Sequence, residues 1–219
     1  MNEPRSGELL AVASRRVHRV LLEGLLEQGT LPDTGTLAAK AEVGPADLPA
    51  RLRELAAADY LALDDDRRVT CLYPLSPIPT SHAVAIDGQR RYAMCAIDLL
   101  GIPAMLGREL ALAGRCAACE APIALRVRPG ELTMADPATT LVVARRDEAE
   151  PAVTACCPFT VFACGPTHAE QVAEQTPGTR VLPLDHALVH AEALFGDLLA
   201  PTLPATRPRG KDWSRRRGA

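Results

Sequence analysis

"RYAMCAIDLLGIPAMLG" (residues 91–107) is built almost wholly of apolar or small side chains, yet it carries a thiol at Cys95 and a carboxylate at Asp98. Its length and composition read as a buried helix that opens near residue 91 and is stopped near Pro103. Residues three apart on a helix share a face, so Cys95 and Asp98 point the same way. Cysteine is often simply a small buried hydrophobe. A buried aspartate without a partner is costly, so Asp98 needs a partner or a task.

On either side of this helix the chain alternates between short strands and helices. "HAVAID" (82–87) reads as a strand turned by Gly88, and "APIALRVRP" (121–129), "TTLVVARR" (139–146) and "PFTVFAC" (158–164) read as further strands. "THAEQVAEQ" (167–175) reads as a helix, "TRVLPL" as a short strand and "DHALVHAEALFGDLLA" (185–200) as a final helix. This order predicts an α+β domain over 80–200, a mixed or antiparallel sheet flanked by helices. Before it, apolar residues recur at helical spacing through 5–28, 33–42 and 46–59, and "YLALDDDRRVTCLY" reads as a hairpin. Three helices and a hairpin predict a winged-helix-like unit over 1–79. The basic end, 201–219, reads as a disordered, solvated tail.

Composition narrows the function. At 219 residues the chain is long enough to bury about 70% of its unfolded surface, so it needs no disulfide staples. The net charge of −3 gives no bulk attraction to nucleic acid or anionic membrane. A nucleic-acid reader would show a basic excess on its recognition helix. The third helix instead sets Asp47, Glu54 and Asp59 against Arg51 and Arg53, so nucleic acid is not an expected partner. No run of 18 apolar residues predicts a membrane span, and the first twenty residues do not read as a signal peptide. Seven cysteines, an odd number, without an export signal predict a cytoplasmic protein with reduced thiols.

Those thiols fall into groups. Cys156 and Cys157 are adjacent in "TACCPFTVFAC", at the mouth of a predicted strand, where one would face the Cys95–Asp98 pair and the other would face away. Cys116 and Cys119 form a C-x2-C pair in "GRCAACEAP". Zinc sites use that spacing together with a second pair or histidines, and here no second C-x2-C exists while His82, His168, His186 and His190 look scattered. A redox role for the pair lacks the βαβ context such motifs occupy.

Taken together, "YAMCAIDLLGIPAMLG", "GRCAACEAPIAL" and "ACCPFTVFA" resemble the organomercurial (alkylmercury) lyases of bacterial mercury resistance. The resemblance extends through "PTHAEQVAEQ" to the last helix and is weaker before residue 80. It implies Cys95 as the attacking thiol, Asp98 as the proton carrier and Cys156 as the second thiolate, with mercury of substrate and product held by the same three. Cys116 matches a further family cysteine. Cys119 and Cys164 stand where non-thiol residues are expected, Met94 and Ala155 replace aromatics, and "PFT" replaces a polar stretch.

The implied reaction is protonolysis of a carbon–mercury bond, giving a hydrocarbon and Hg(II). Soft mercury selects thiolates, and two of them with one acid make a sufficient set without an organic cofactor. Moving a proton from a free thiol (pKa ~8.5) to a free aspartate (~3.9) is uphill by roughly 6 kcal/mol. Metal binding at the thiol and burial of the carboxylate both reduce that gap. The expected partners are an organomercurial, small cytosolic thiols and a mercuric reductase to receive Hg(II). Two other functions fit the same residues: a soft-metal binding protein that uses the extra thiols Cys116, Cys119, Cys157 and Cys164 without turnover, and a winged-helix regulator.

Overall fold

The computed structural model describes residues 10–145, 150–200 and 203. The expected basic tail lies outside the described residues except for Leu203, which is buried and accepts a hydrogen bond from the Leu10 amide (3.0 Å).

Three helices come first: α1 (Val12–Glu27), α2 (Thr34–Ala41) and α3 (Leu48–Ala57). Asp33 caps α2 by accepting the Thr36 amide, the usual way to satisfy a free N–H at a helix start. A hairpin of β1 (Leu61–Leu63) and β2 (Val69–Leu72) follows. On α3, Arg51 pairs with Glu54 at 2.8 Å, and Glu54 also accepts the Ser14 hydroxyl at 2.6 Å. The charges of α3 are thus partly spent inside the helical unit.

The hairpin continues into a larger sheet. β3 (Leu75–Ser76), β4 (Ala83–Ile86), β5 (Gln89–Ala93), β6 (Leu110–Arg115), β7 (Pro122–Arg128) and β8 (Glu131–Asp136) complete eight strands in the order β1-β2-β3-β5-β4-β6-β7-β8, all antiparallel. The sheet therefore runs unbroken past residue 79, where a unit boundary is expected from the sequence. A second sheet sets β9 (Leu141–Arg145) between β10 (Val161–Ala163) and β11 (Thr179–Pro183), again antiparallel. The α+β class and the antiparallel sheet agree with the expectation.

The helix α4 (Ala96–Leu106) touches strands of both sheets and packs along α7 (Leu184–Phe195). All eight residues from Ala96 to Pro103 are buried.

 None of these side chains, in other words, looks out on water, which is why the stretch shows no polar face and reads as apolar all round. Its limits differ from the expectation. Residues 91–93 belong to β5, and the helix starts only after Cys95. Pro103 lies inside the helix, which runs on to Leu106 and ends at Gly107 in the left-handed region (φ 66°). Proline forfeits one backbone hydrogen bond, and burial of this helix against two sheets and α7 outweighs that loss.

Two further differences are local. β6 and β8 are strands that the sequence reading leaves unassigned. The segment read as a strand from 158 begins instead in a single 3-10 turn, Cys157–Phe159, which follows α5 (Ala152–Ala155) and precedes β10. α6 (Pro166–Gln175) follows β10, as expected.

Candidate active site

Cys95 is the N-cap residue of α4, with extended backbone (φ −152°, ψ 179°), and its carbonyl accepts the Leu99 amide at 2.9 Å. Asp98 therefore occupies the first turn of the helix. The turn that carries Cys156 and Cys157 is tied to the same helix end. The Ala96 amide donates to the Thr160 carbonyl (3.1 Å), and the Thr160 hydroxyl donates back to the Cys156 carbonyl (2.9 Å).

These ties gather Cys95, Asp98 and Cys157, whose sulfurs and carboxylate oxygen all lie within 4.8 Å of one another. The Cys157 thiol donates to Asp98 Oδ2 at 3.6 Å. All three residues are buried, Asp98 being 3% exposed. Burial first, then the hydrogen bond with Cys157 and the charge of Asp98, holds the Cys95 thiol well above the ordinary range.

Of the residues expected at the site, the structure brings together Cys95 and Asp98 but sets Cys157, not Cys156, beside them. Cys156 is half-buried at the end of α5 and lies outside this cluster. The physical reason is the local backbone. In a helix end followed by a 3-10 turn, successive side chains do not alternate between opposite faces as they would in a strand, and here the second cysteine is the one turned inward.

Tyr73 is a neighbour that the sequence reading does not single out. The Met94 amide donates to the Pro74 carbonyl at 3.2 Å, which ties the Tyr73–Pro74 segment to the residue before Cys95. Burial above all, with Cys71, Cys157, Asp59 and Asp98 nearby, pushes the Tyr73 phenol far up, so it stays protonated. A phenol buried beside a carboxylate carries no signature in the sequence, because the turn between β2 and β3 that bears it comes from another part of the chain.

The C-x2-C pair also finds company. Cys116 and Cys119 lie with Cys164 and His168 in a second group whose ligand atoms are again within 4.8 Å of one another. Cys164 is among the extra thiols that the sequence offers to a soft metal, but His168 is missed as its companion, although the C-x3-H spacing of the two is the available signal. Burial pushes the Cys116 thiol up, but the amides of Cys164, Ala118 and Cys119 outweigh it and bring the thiol down to about 6. A separate cavity of about 400 Å3, lined by Leu21, Leu37, Leu52 and Val69 among others, opens on the helical unit and includes no cysteine.

The fold and this site define a class: an α+β protein with two thiols and one carboxylate enclosed at a helix N-terminus. Comparison with known proteins narrows it. A model of the alkylmercury lyase (MerB) family matches residues 75–196. The alkylmercury lyases of Bacillus cereus and Clostridium butyricum are each 33% identical over 147 residues, 67% of this chain and 65% of theirs. That of Streptomyces lividans is 32% identical over 157 residues, 71% of this chain and 73% of its own. The chain therefore spans just under two thirds of the length of the first two relatives. The crystal structure of the mercury-bound form of MerB2 superposes with a TM-score of 0.70 over 87% of this chain and 91% of that one, at 22% identity, a likeness of fold. The chain belongs to the alkylmercury lyase family.

Proposed function

We infer that this protein is an organomercurial lyase, which cleaves the carbon–mercury bond of an organomercurial by protonolysis. The observation that carries the reading is the enclosure of Cys95, Asp98 and Cys157 within 4.8 Å of one another, two soft donors and one acid away from water. Family membership supports the same reading.

The steps balance. Cys95 S–H meets R–Hg–X, an S–Hg bond forms, and X leaves with the thiol proton as HX. A second thiol binds the same mercury and passes its proton to the Asp98 carboxylate. The added sulfur pushes electron density towards the metal-bound carbon. Asp98 then gives its proton to that carbon, the C–Hg bond breaks, and R–H leaves with Hg(II) held by two sulfurs. Carboxylate rather than amide is required at residue 98, because the group must take and release one proton. Enclosure keeps water from competing for that proton.

The second sulfur comes from the Cys156–Cys157 pair. Resemblance assigns Cys156, and position favours Cys157, whose thiol already donates to Asp98. The reaction draws on no organic cofactor. Hg(II) passes to small cytosolic thiols and, by the same resemblance, to a mercuric reductase, as part of mercury detoxification in the cytoplasm. No helix among the described residues is long and apolar enough to cross a membrane, and all seven cysteines are free thiols, which suits a reducing compartment.

The test is incubation with phenylmercury and excess thiol, with benzene measured in the headspace. Steady release by the wild type, abolished in Cys95→Ser and Asp98→Asn, is the expected result. Wild-type release that both variants retain overturns the assignment.

A further inference from the structure

The group at Cys116, Cys119, Cys164 and His168 stands apart from the chemistry above, shares none of its residues, and is built as a closed coordination shell. We propose that it is a structural zinc site with a Cys3His ligand set. Four features support it.

The donors are complete. Tetrahedral zinc takes four protein ligands in closed sites, from Cys sulfur at about 2.3 Å and His nitrogen at about 2.0–2.1 Å. Those bond lengths require sulfurs about 3.8 Å apart and sulfur-to-nitrogen separations of about 3.6 Å. Cys119 Sγ and Cys164 Sγ lie 3.8 Å apart, and Cys116 Sγ is 3.6 Å from His168 Nδ1. Cys164 Sγ to His168 Nδ1, at 3.0 Å, is a hydrogen-bond length that must open slightly for an ion to enter.

The backbone is shaped for it. Cys116 and Cys119 sit on the tight turn that leaves β6 and enters β7. The Glu120 amide donates to the Cys116 carbonyl and the Cys116 amide to the Ala121 carbonyl, both at 2.9 Å. Closing the turn puts Glu120 in the left-handed region (φ 60°), a conformation that a non-glycine side chain rarely adopts and that needs support. The Cys164 amide points at Cys116 Sγ from 3.4 Å, the kind of N–H contact that steadies a thiolate ligand.

The donors come from two separate places that a metal would join. Cys116 forms a parallel bridge with Phe162, so the turn of the large sheet abuts the middle of β10 in the small one. Cys164 follows β10, and His168 lies in the first turn of α6, four residues on. An ion here would clamp the two sheets beside the segment that bears Cys157.

The donor chemistry selects the ion. Three sulfurs and an imidazole suit zinc and disfavour magnesium or calcium, which take oxygen ligands. With four protein donors in the set, the site is suited to holding structure rather than to activating water.

The test is metal analysis of the full chain purified under reducing conditions without chelator, together with the visible spectrum of the cobalt(II)-substituted protein. One zinc per chain is expected in the wild type and in Cys95→Ser, with loss of that zinc in the Cys119→Ser/Cys164→Ser double variant. Cobalt should give sulfur-to-metal charge-transfer bands and the intense ligand-field bands of tetrahedral geometry, read on the wild type whether or not any variant folds. A wild-type chain that binds neither zinc nor cobalt overturns the proposal. So does zinc that leaves with Cys95→Ser but survives the double variant, or a Cys119–Cys164 disulfide in metal-free protein.

Discussion

At residue 95, burial and the neighbouring Asp98 and Cys157 hold the thiol protonated at neutral pH. Its alkylation by iodoacetamide should therefore still be accelerating above pH 9, where an ordinary thiol levels off; mass spectrometry of the 95-containing peptide across pH gives the profile. In Asp98→Asn the charge that opposes thiolate formation is gone, so the same profile should shift to lower pH even as hydrocarbon release falls by about 10²–10⁴-fold, the usual worth of a positioned acid. The paired cysteines allow a direct comparison. Cys157→Ala should lose most turnover, and Cys156→Ala should keep more of it, as measured by benzene release at saturating thiol. The Cys95–Asp98 pair was legible in the sequence because a carboxylate in an apolar run demands a reason. Which of Cys156 and Cys157 faces it was not, because that choice depends on a helix end and a 3-10 turn where a strand was expected.

At the scale of elements, α4 is held by close approach to α7. A methyl group on Gly101 would come within 3.0 Å of Phe195 Cβ and Cγ. Gly101→Ala should therefore destabilise the fold by about 1–3 kcal/mol despite the better helix propensity of alanine, seen as a lower denaturation midpoint. Arg91 does a different task. Buried in β5, it donates to the Leu26 carbonyl (3.0 Å) and the Glu27 carbonyl (2.7 Å) at the end of α1, where a helix leaves acceptors unsatisfied. Arg91→Met should cost about 2–4 kcal/mol by stranding those carbonyls, and amide exchange should rise first in the last turn of α1. Most helices were legible from apolar spacing. β6 also carries a readable alternation, with Leu110, Leu112 and Gly114 inward, whereas β8 is largely exposed and offers no apolar pattern to read. Pro103 looked like a stop because a local rule ignores how completely α4 is enclosed.

For the whole molecule, two buried histidines link stability to pH. Burial, then the charge of Arg19, lowers His18 to about 3, and burial lowers His82 to about 4. Both are neutral in the folded chain, while the unfolded chain takes up their protons below about pH 6.5. Their contribution is therefore complete above pH 6.5 and is lost progressively as pH falls towards 4 and 3, on the order of 5 kcal/mol for His18 and 3 kcal/mol for His82. Denaturant midpoints should drop steeply between pH 7 and pH 5, and His18→Leu should flatten that drop. Composition, apolar spacing and the cysteine–aspartate pairing determined the α+β class and pointed to the first half of the candidate site, because those signals lie within a few residues of one another along the chain. Only the tertiary structure decided the continuous eight-stranded sheet, the inward turn of Cys157, the approach of Tyr73 and the meeting of Cys116 and Cys119 with Cys164 and His168. Each of these joins segments far apart in sequence, and such contacts are set by how the sheets and α4 pack, which no local pattern encodes.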